Sequence, residues 1–240
     1  MSNQEKHFKS RLLSGLRWSA LKKFGQASLS LAVLVIMARL LEPTDFGLVA
    51  MATVFTGISN VFTELGTGDA LIRSKNTSRE FASTIFWFNT SLSFVVCLIL
   101  ALIAPFISNL YGEEIVEILI YVLSIEILLS GINRVSHAML EKNMMFKEIA
   151  FAQIISQSAG SLIGISMAFM GYGLWSLVFL GISTQLIYTI LVNFSLKWVP
   201  LFSFNIKDIK NILSFSSYLT VIKILDHIQR RSEIFIVSYS

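Results

Sequence analysis

"ARLLEPTDFGLVAMA", residues 38–52, interrupts an apolar sequence with an arginine, a glutamate, a proline and an aspartate within seven residues. Pro43 suits the first turn of a helix, where its missing N–H group has no hydrogen bond to lose. Thr44 and Asp45 can supply acceptors to the free amide groups of that turn. The stretch therefore predicts a tight turn followed by a capped helix start. For Arg39, just before the turn, we favour a structural anchor, with a functional role as the alternative.

The composition of the chain is that of an integral membrane protein. Hydrophobic residues make up 54% of its 240 residues and charged residues 14%, against about a quarter in soluble domains. The mean hydropathy is +0.69. The net charge of +4 is the difference between nineteen Lys and Arg residues and fifteen Asp and Glu residues. The basic residues are dispersed along the chain, so we expect no nucleic-acid partner. The single cysteine, Cys97, excludes an internal disulfide and is interpreted as a small buried hydrophobe.

Seven apolar stretches approach the length of about 20 residues that a membrane-spanning helix needs. In chain order, and to within a few residues, they cover 16–38, 46–65, 83–107, 115–135, 149–170, 174–196 and, more polar than the others, 209–240. The sequence therefore predicts an all-α, polytopic membrane protein.

Positive charge alternates between the connections. Lys and Arg residues are concentrated in 3–23, which holds six of them, and in three later connections: Arg73, Lys75 and Arg79; Arg134, Lys142 and Lys147; Lys197, Lys207 and Lys210. The connections 40–45, 109–114 and 170–173 contain none. Because cytoplasmic loops carry the excess of positive charge, the pattern predicts a cytoplasmic N-terminus.

Polar side chains form a stripe along one face of four spans, at steps of three and four residues. The members of the stripes are Ser19, Lys22, Lys23, Gln26 and Ser30; Thr53, Thr56, Asn60 and Glu64; Glu126, Ser130, Asn133, His137 and Glu141; Ser216, Thr220, Lys223, Asp226, His227, Arg230 and Glu233. Ser, Thr and Gln alone are consistent with hydrogen-bonded seams between helices. Several ionisable groups on the first and seventh spans favour a water-filled cationic cavity instead, and its cations would suit a phosphate-bearing ligand.

Catalytic and metal-binding patterns are missing from the sequence. "GTGDAL", residues 66–71, lacks the Lys-Ser/Thr ending of a phosphate loop. The three histidines are isolated along the chain, so no metal site is predicted. We therefore expect a protein that is not an enzyme and has no cofactor. Gly160 and Gly164 form a GxxxG pair, which we interpret as helix packing.

Taken in order, the motifs of the chain closely resemble those of the polysaccharide transporter family, the flippases of lipid-linked oligosaccharides (O-antigen flippases of the Wzx type). This family lies within the multidrug/oligosaccharidyl-lipid/polysaccharide exporter superfamily. The motifs are the opening stretch, "ELGTGDALIR" (64–73), "STIFWFN" (83–89), "APFISNLYG" (104–112), "AMLEKNMMFK" (138–147), "GYGLWSLV" (171–178) and "WVP" (198–200). Members carry twelve to fourteen helices in two related bundles, so the resemblance implies that the chain corresponds to the N-terminal half. A six-helix bundle would occupy residues 1–206, and residues 207–240 would be the first helix of a second, truncated bundle. An offset of 200 residues pairs the first span with the seventh, as an internal repeat would.

The resemblance implies a transporter that moves an undecaprenyl-diphosphate-linked oligosaccharide across the bacterial inner membrane for O-antigen, capsule or exopolysaccharide synthesis. Alternating access would run through a cleft between the bundles. Membrane lipids and a polysaccharide polymerase or other assembly proteins are further expected partners. The residues expected to line the cleft are Lys22, Lys23, Gln26, Lys223 and Arg230, and the candidates for ion coupling are Asp226, Glu64 and Glu126. The alternatives are a multidrug or metabolite exporter of the same superfamily and a truncated, non-transporting scaffold of a glycan assembly complex.

Overall fold

The computed structural model of the protein describes residues 3–63, 66–74, 78–206 and 209. Its helices are α1 (Asn3–Leu40), α2 (Pro43–Thr63), α3 (Thr67–Arg73), α4 (Arg79–Tyr111), α5 (Glu114–Lys142), α6 (Phe146–Phe169) and α7 (Trp175–Leu196). These ranges contain no strand. The all-α prediction is therefore confirmed.

Five helices in the described ranges are long and apolar enough to cross a membrane. They are the segment Lys23–Leu40 of α1, and α4, α5, α6 and α7. α2, at 21 residues, also has the length of a span. Six of the seven predicted spans thus correspond to α1, α2, α4, α5, α6 and α7. The predicted seventh span, 209–240, lies outside the described residues except for Ile209.

α5 lies at the centre of the bundle and packs against α2, α3, α4, α6 and α7. Its buried apolar side chains recur at steps of three and four and so share one face: Val116, Leu119, Ile120, Leu123 and Ile127. This face forms one apolar cluster with side chains of α2, α4 and α7: Ala52, Leu100, Ala104, Ile107 and Val178. The central position of α5 brings its polar residues into the bundle as well.

Glycines allow two helix pairs to approach closely. A Cβ atom added at Gly160 of α6 would lie 2.9 Å from both the Leu180 oxygen and the Thr184 nitrogen of the α7 backbone, and one at Gly164 would lie 2.9 Å from the Ser176 oxygen. The prediction that this GxxxG pair packs helices is therefore confirmed. Gly131 of α5 is similarly close to α4, because its Cβ would lie 3.1 Å from the Asn89 backbone oxygen.

α1 packs against α6 both at Trp18, whose ring centroid lies 5.5 Å from that of Phe151, and farther along the helix. Val33, Met37 and Leu41 form a cluster with Ala168, while large apolar side chains elsewhere on α1 stay exposed, with Phe24 at 75% and Leu31 at 66%. Exposed apolar surface of this kind is what a membrane-embedded helix presents to lipid.

The α1–α2 turn has the predicted capped helix start, with one correction. The Asp45 carboxylate reaches back and accepts a hydrogen bond from the Glu42 backbone N–H group at 3.3 Å, which is half of a capping box. Thr44 does not serve as an acceptor here. Its hydroxyl donates to the Glu42 carboxylate at 3.3 Å, because the preceding glutamate offers a stronger acceptor. The Asp45 carboxylate also lies beside Gly173 of the α6–α7 connection, so these two connections share one end of the bundle.

The positively charged connections meet at one end of the bundle. The Lys142 ammonium, at the end of α5, donates to the Leu71 and Ser74 carbonyl oxygens at 3.0 and 2.8 Å. The Arg79 guanidinium, at the start of α4, donates to the Val199 carbonyl oxygen at 2.8 Å. Connections rich in Lys and Arg therefore lie together at one end, as the charge alternation predicts. That this end is cytoplasmic stays a prediction.

Two features of this end differ from the sequence-based expectation. Residues 67–73 form the short helix α3, which was not predicted, and the Thr67 hydroxyl anchors it by donating to the buried Asn89 side chain at 2.9 Å. α5 continues to Lys142, seven residues beyond its predicted end at 135. Contacts with α3 and the Lys142 hydrogen bonds stabilise this polar extension, which hydropathy alone does not register.

Candidate functional site

A polar cavity of about 290 Å³ opens between α3, α5, α6 and α7. It lies toward the end of the bundle where the positively charged connections meet. Its lining residues are Gly66, Gly68, Asp69, Ile72, Ser130, Asn133, Arg134, His137, Ala138, Glu141, Gln153 and Tyr188. α5 supplies six of them. Four of these six, Ser130, Asn133, His137 and Glu141, belong to the polar stripe predicted for the fourth span.

A chain of polar contacts joins α7 to the end of α5 in this cavity. The Tyr188 hydroxyl lies 2.5 Å from Nδ1 of His137, and Nε2 of the same ring lies 3.4 Å from the Glu141 carboxylate. In the tautomer that satisfies both contacts, Tyr188 donates to Nδ1 and Nε2–H points to Glu141. The three side chains therefore hold one another in orientation.

Further hydrogen bonds fix the adjoining α5–α7 seam. The Asn133 amide donates to the Thr189 hydroxyl at 3.0 Å, and the Ser136 hydroxyl donates to the Asn193 amide oxygen at 2.7 Å. Such interhelical bonds contribute roughly 0.6 kcal/mol each in a membrane. They make the α5–α7 wall of the cavity a preformed surface.

The cavity contains charges of both signs. Arg134 donates to the Ser130 hydroxyl at 3.3 Å, and Asp69 and Glu141 add two carboxylates. The Oε1 atom of Gln153 is buried and has no hydrogen-bond partner within the described ranges. Those ranges also contain no group of three or more His, Cys, Asp or Glu side chains placed to hold a metal ion. The cavity therefore has donors and acceptors for a polar ligand.

Glu126 lies one helical turn from Ser130, farther from this end of α5. Its half-buried carboxylate packs against Gly181 of α7, where an added Cβ would lie 3.3 Å from Cδ of Glu126. No hydrogen bond or ion pair reaches this carboxylate from the residues that the structure describes. An ionisable group in such a position inside a membrane bundle is a functional candidate.

The other predicted site residues are only partly visible. Lys23 is exposed and Gln26 is half-buried on α1. Five further site residues lie outside the described part of the chain: Lys22, of which the side chain is not described, and the whole of Glu64, Lys223, Asp226 and Arg230. The structure therefore leaves the predicted cationic cleft untested.

Sequence reasoning did not place several of the cavity residues, among them Asp69, Gln153 and Tyr188. Asp69 belongs to α3, which is too short to show a helical period. Gln153 precedes Gly160 by seven residues, about two helical turns, so it shares the face of α6 that was interpreted as helix packing. Tyr188 lies in the apolar run of α7, where a single tyrosine gives no specific sign of a site.

The described fold and cavity define a multi-pass helical membrane protein. A family profile for polysaccharide biosynthesis proteins matches residues 36–240. The chain belongs to this family of polysaccharide biosynthesis proteins, and the resemblance drawn from its motifs is confirmed.

The names of three similar proteins refer to the biosynthesis of succinoglycan, lipopolysaccharide and teichuronic acid. Succinoglycan biosynthesis transport protein ExoT of Rhizobium meliloti (strain 1021) is 27% identical over 226 residues, which cover 92% of this chain and 45% of that protein. Lipopolysaccharide biosynthesis protein WzxC of Escherichia coli (strain K12) is 24% identical over 150 residues, 62% of this chain and 30% of that protein. Teichuronic acid biosynthesis protein TuaB of Bacillus subtilis (strain 168) is 24% identical over 213 residues, 87% of this chain and 44% of that protein. The chain thus spans at most about half the length of these relatives. No solved structure matches it significantly.

Proposed function

We propose that the chain forms one bundle of a transporter that flips an undecaprenyl-diphosphate-linked oligosaccharide across the bacterial inner membrane. The observation that carries this proposal is the match of residues 36–240 to the family of polysaccharide biosynthesis proteins, and a polar cavity within the bundle is consistent with it. Polar groups are expensive within a membrane and mark pathways for polar cargo. The printed name of one relative, a succinoglycan biosynthesis transport protein, supports the same reaction class.

In this proposal, access alternates through a cleft between the present bundle, residues 1–206, and a second bundle that begins near residue 207. Lys22, Lys23 and Gln26 on α1 would face Lys223 and Arg230, and the cations would bind the diphosphate. The exposed position of Lys23 supports this arrangement. α1 packs against α6 through other residues, so the Lys23 side chain is free to face the cleft. Asp226, Glu64 and Glu126 remain the candidates for ion coupling.

Loss of the gene should stop surface polysaccharide export and leave the lipid-linked oligosaccharide on the inner leaflet. The measurement is lectin accessibility of the glycan in right-side-out and inverted membrane vesicles. We expect the signal in inverted vesicles to rise and the signal in right-side-out vesicles to vanish. Unchanged outer-leaflet glycan would refute the proposal, and greater sensitivity to small cationic compounds with normal glycan would indicate a drug exporter.

The cationic cleft predicts a strong effect of Lys23→Glu in the full-length protein. The substitution puts a negative charge where the diphosphate would bind, so export should fall to background at normal protein level. Arg17→Glu is the matched control, because it makes the same charge change on α1 but lies off the polar face by helical spacing. Equal export by the two variants would show that Lys23 does not contact the substrate.

A further inference from the structure

We propose that the cavity between α3, α5, α6 and α7 binds one neutral sugar ring of the substrate, separately from the cations that would bind its diphosphate. This inference rests on the proposed function, since it assigns part of the same cargo to a second location. It concerns the residues of α3, α5, α6 and α7 that line the cavity, none of which belongs to the proposed cationic cleft.

The size of the cavity limits the ligand to a small one. Its volume of about 290 Å³ lies at the lower end of the range of roughly 300–1,000 Å³ for small-molecule sites. A single pyranose ring with its hydroxyls fits this space, and a whole oligosaccharide repeat does not.

The lining suits hydroxyl groups, each of which donates one hydrogen bond and accepts others. Asp69 and Glu141 only accept when ionised, Arg134 only donates, and the amide of Gln153 does both. The buried Oε1 atom of Gln153 is an acceptor without a partner in the described ranges. A sugar hydroxyl would supply the missing donor.

The charges of the lining argue against a phosphate ligand. Arg134 is matched by the carboxylates of Asp69 and Glu141, and the Lys142 ammonium nearby is already bound to two backbone oxygens. Phosphate groups prefer sites with an excess of cations. The cavity has no such excess, even with His137 protonated, so a neutral polyol is the better match.

The hydrogen-bond network prepares the site for binding. Tyr188, His137 and Glu141 hold one another, and Asn133 is held by Thr189. Side chains that are fixed before the ligand arrives lose little rotational freedom on binding, which favours affinity for a small ligand. Selectivity then comes from which hydroxyls can reach these fixed groups.

The test uses the whole chain purified into lipid nanodiscs and a set of probes: methyl glucoside, methyl galactoside, methyl N-acetylglucosaminide and inorganic diphosphate. Saturation-transfer NMR should detect binding of at least one methyl glycoside, and inorganic diphosphate should not displace it. Gln153→Leu should weaken that binding at least about tenfold, because it removes the amide at nearly constant volume. Gln157→Leu makes the same change one turn farther along α6, outside the cavity lining, and should leave the binding unchanged.

The proposal is overturned if no glycoside binds, if diphosphate competes, or if Gln153→Leu and Gln157→Leu bind alike. Thermal unfolding of both variants in the same nanodiscs shows whether a loss of binding reflects a loss of fold, and Asp69→Asn then provides a second change in the lining. A negative result here would leave the proposed function standing, because the vesicle assay measures export without reference to this cavity.

Discussion

Gly160→Leu should severely destabilise the helical bundle. The backbones of α6 and α7 meet at this position, and a Cβ atom alone would lie 2.9 Å from two backbone atoms of α7. Backbone atoms cannot rotate away as a side chain can, so the helices would have to separate. Overpacking typically destabilises by about 1–3 kcal/mol, and a leucine here should reach or exceed the upper value. That loss is a large part of a folding free energy of roughly 5–15 kcal/mol.

Gly57→Leu is the matched control for this prediction. Gly57 lies within α2, is exposed, and would have no atom within 4 Å of an added Cβ. Leucine also has a better helix propensity than glycine, which ranks about 0.8–1.0 kcal/mol below alanine. We expect this variant to be as thermostable in detergent as the parent chain, while Gly160→Leu appears as aggregate in size-exclusion chromatography. A monodisperse Gly160→Leu protein with normal helix content would show that α6 and α7 are not packed as described.

Helix existence and packing could be predicted from the sequence because both depend on local patterns. A span needs a long apolar run, and six of the seven predicted spans correspond to described helices. The GxxxG pair of α6 was assigned correctly, since small residues at this spacing permit close approach in any membrane helix. α3 was not predicted because seven residues carry too little periodicity, and the helix depends on Asn89, a distant residue that holds Thr67.

The candidate site could be predicted only where it follows one helix. The stripe on α5 pointed to Ser130, Asn133, His137 and Glu141 because steps of three and four put them on one face. Which helices close the opposite side depends on tertiary contacts. Tyr188 and Gln153 enter the cavity because α7 and α6 pack beside α5, and no local pattern marks that arrangement.

Glu126 has a different status from the other predicted coupling residues, because its surroundings are described. Its carboxylate lies on the same face of α5 as the cavity residues and packs against Gly181. A charged group without a partner is unfavourable in a membrane interior, so the site would favour uptake of a proton or a small cation. Exchange of that ion on the two sides of the membrane is what coupling requires. We therefore propose Glu126 as a coupling carboxylate.

Glu126→Gln in the full-length protein should reduce ion-driven export to the level of a strain without the gene. Glutamine occupies the same space beside Gly181 but cannot bind and release an ion, and it removes a poorly solvated charge, so the protein should be at least as thermostable as the parent. The readouts are outer-leaflet glycan and melting temperature.

Glu117→Gln, on the same helix, is the control. It changes a carboxylate that accepts a hydrogen bond from Tyr121 at 2.7 Å, and it should leave export unchanged. Normal export by Glu126→Gln would exclude Glu126 from coupling. Glu126→Asp keeps the charge but, with its shorter side chain, loses the packing against Gly181. If this variant retains export that still depends on the ion gradient while Glu126→Gln does not, the ionisable group is what matters at this position.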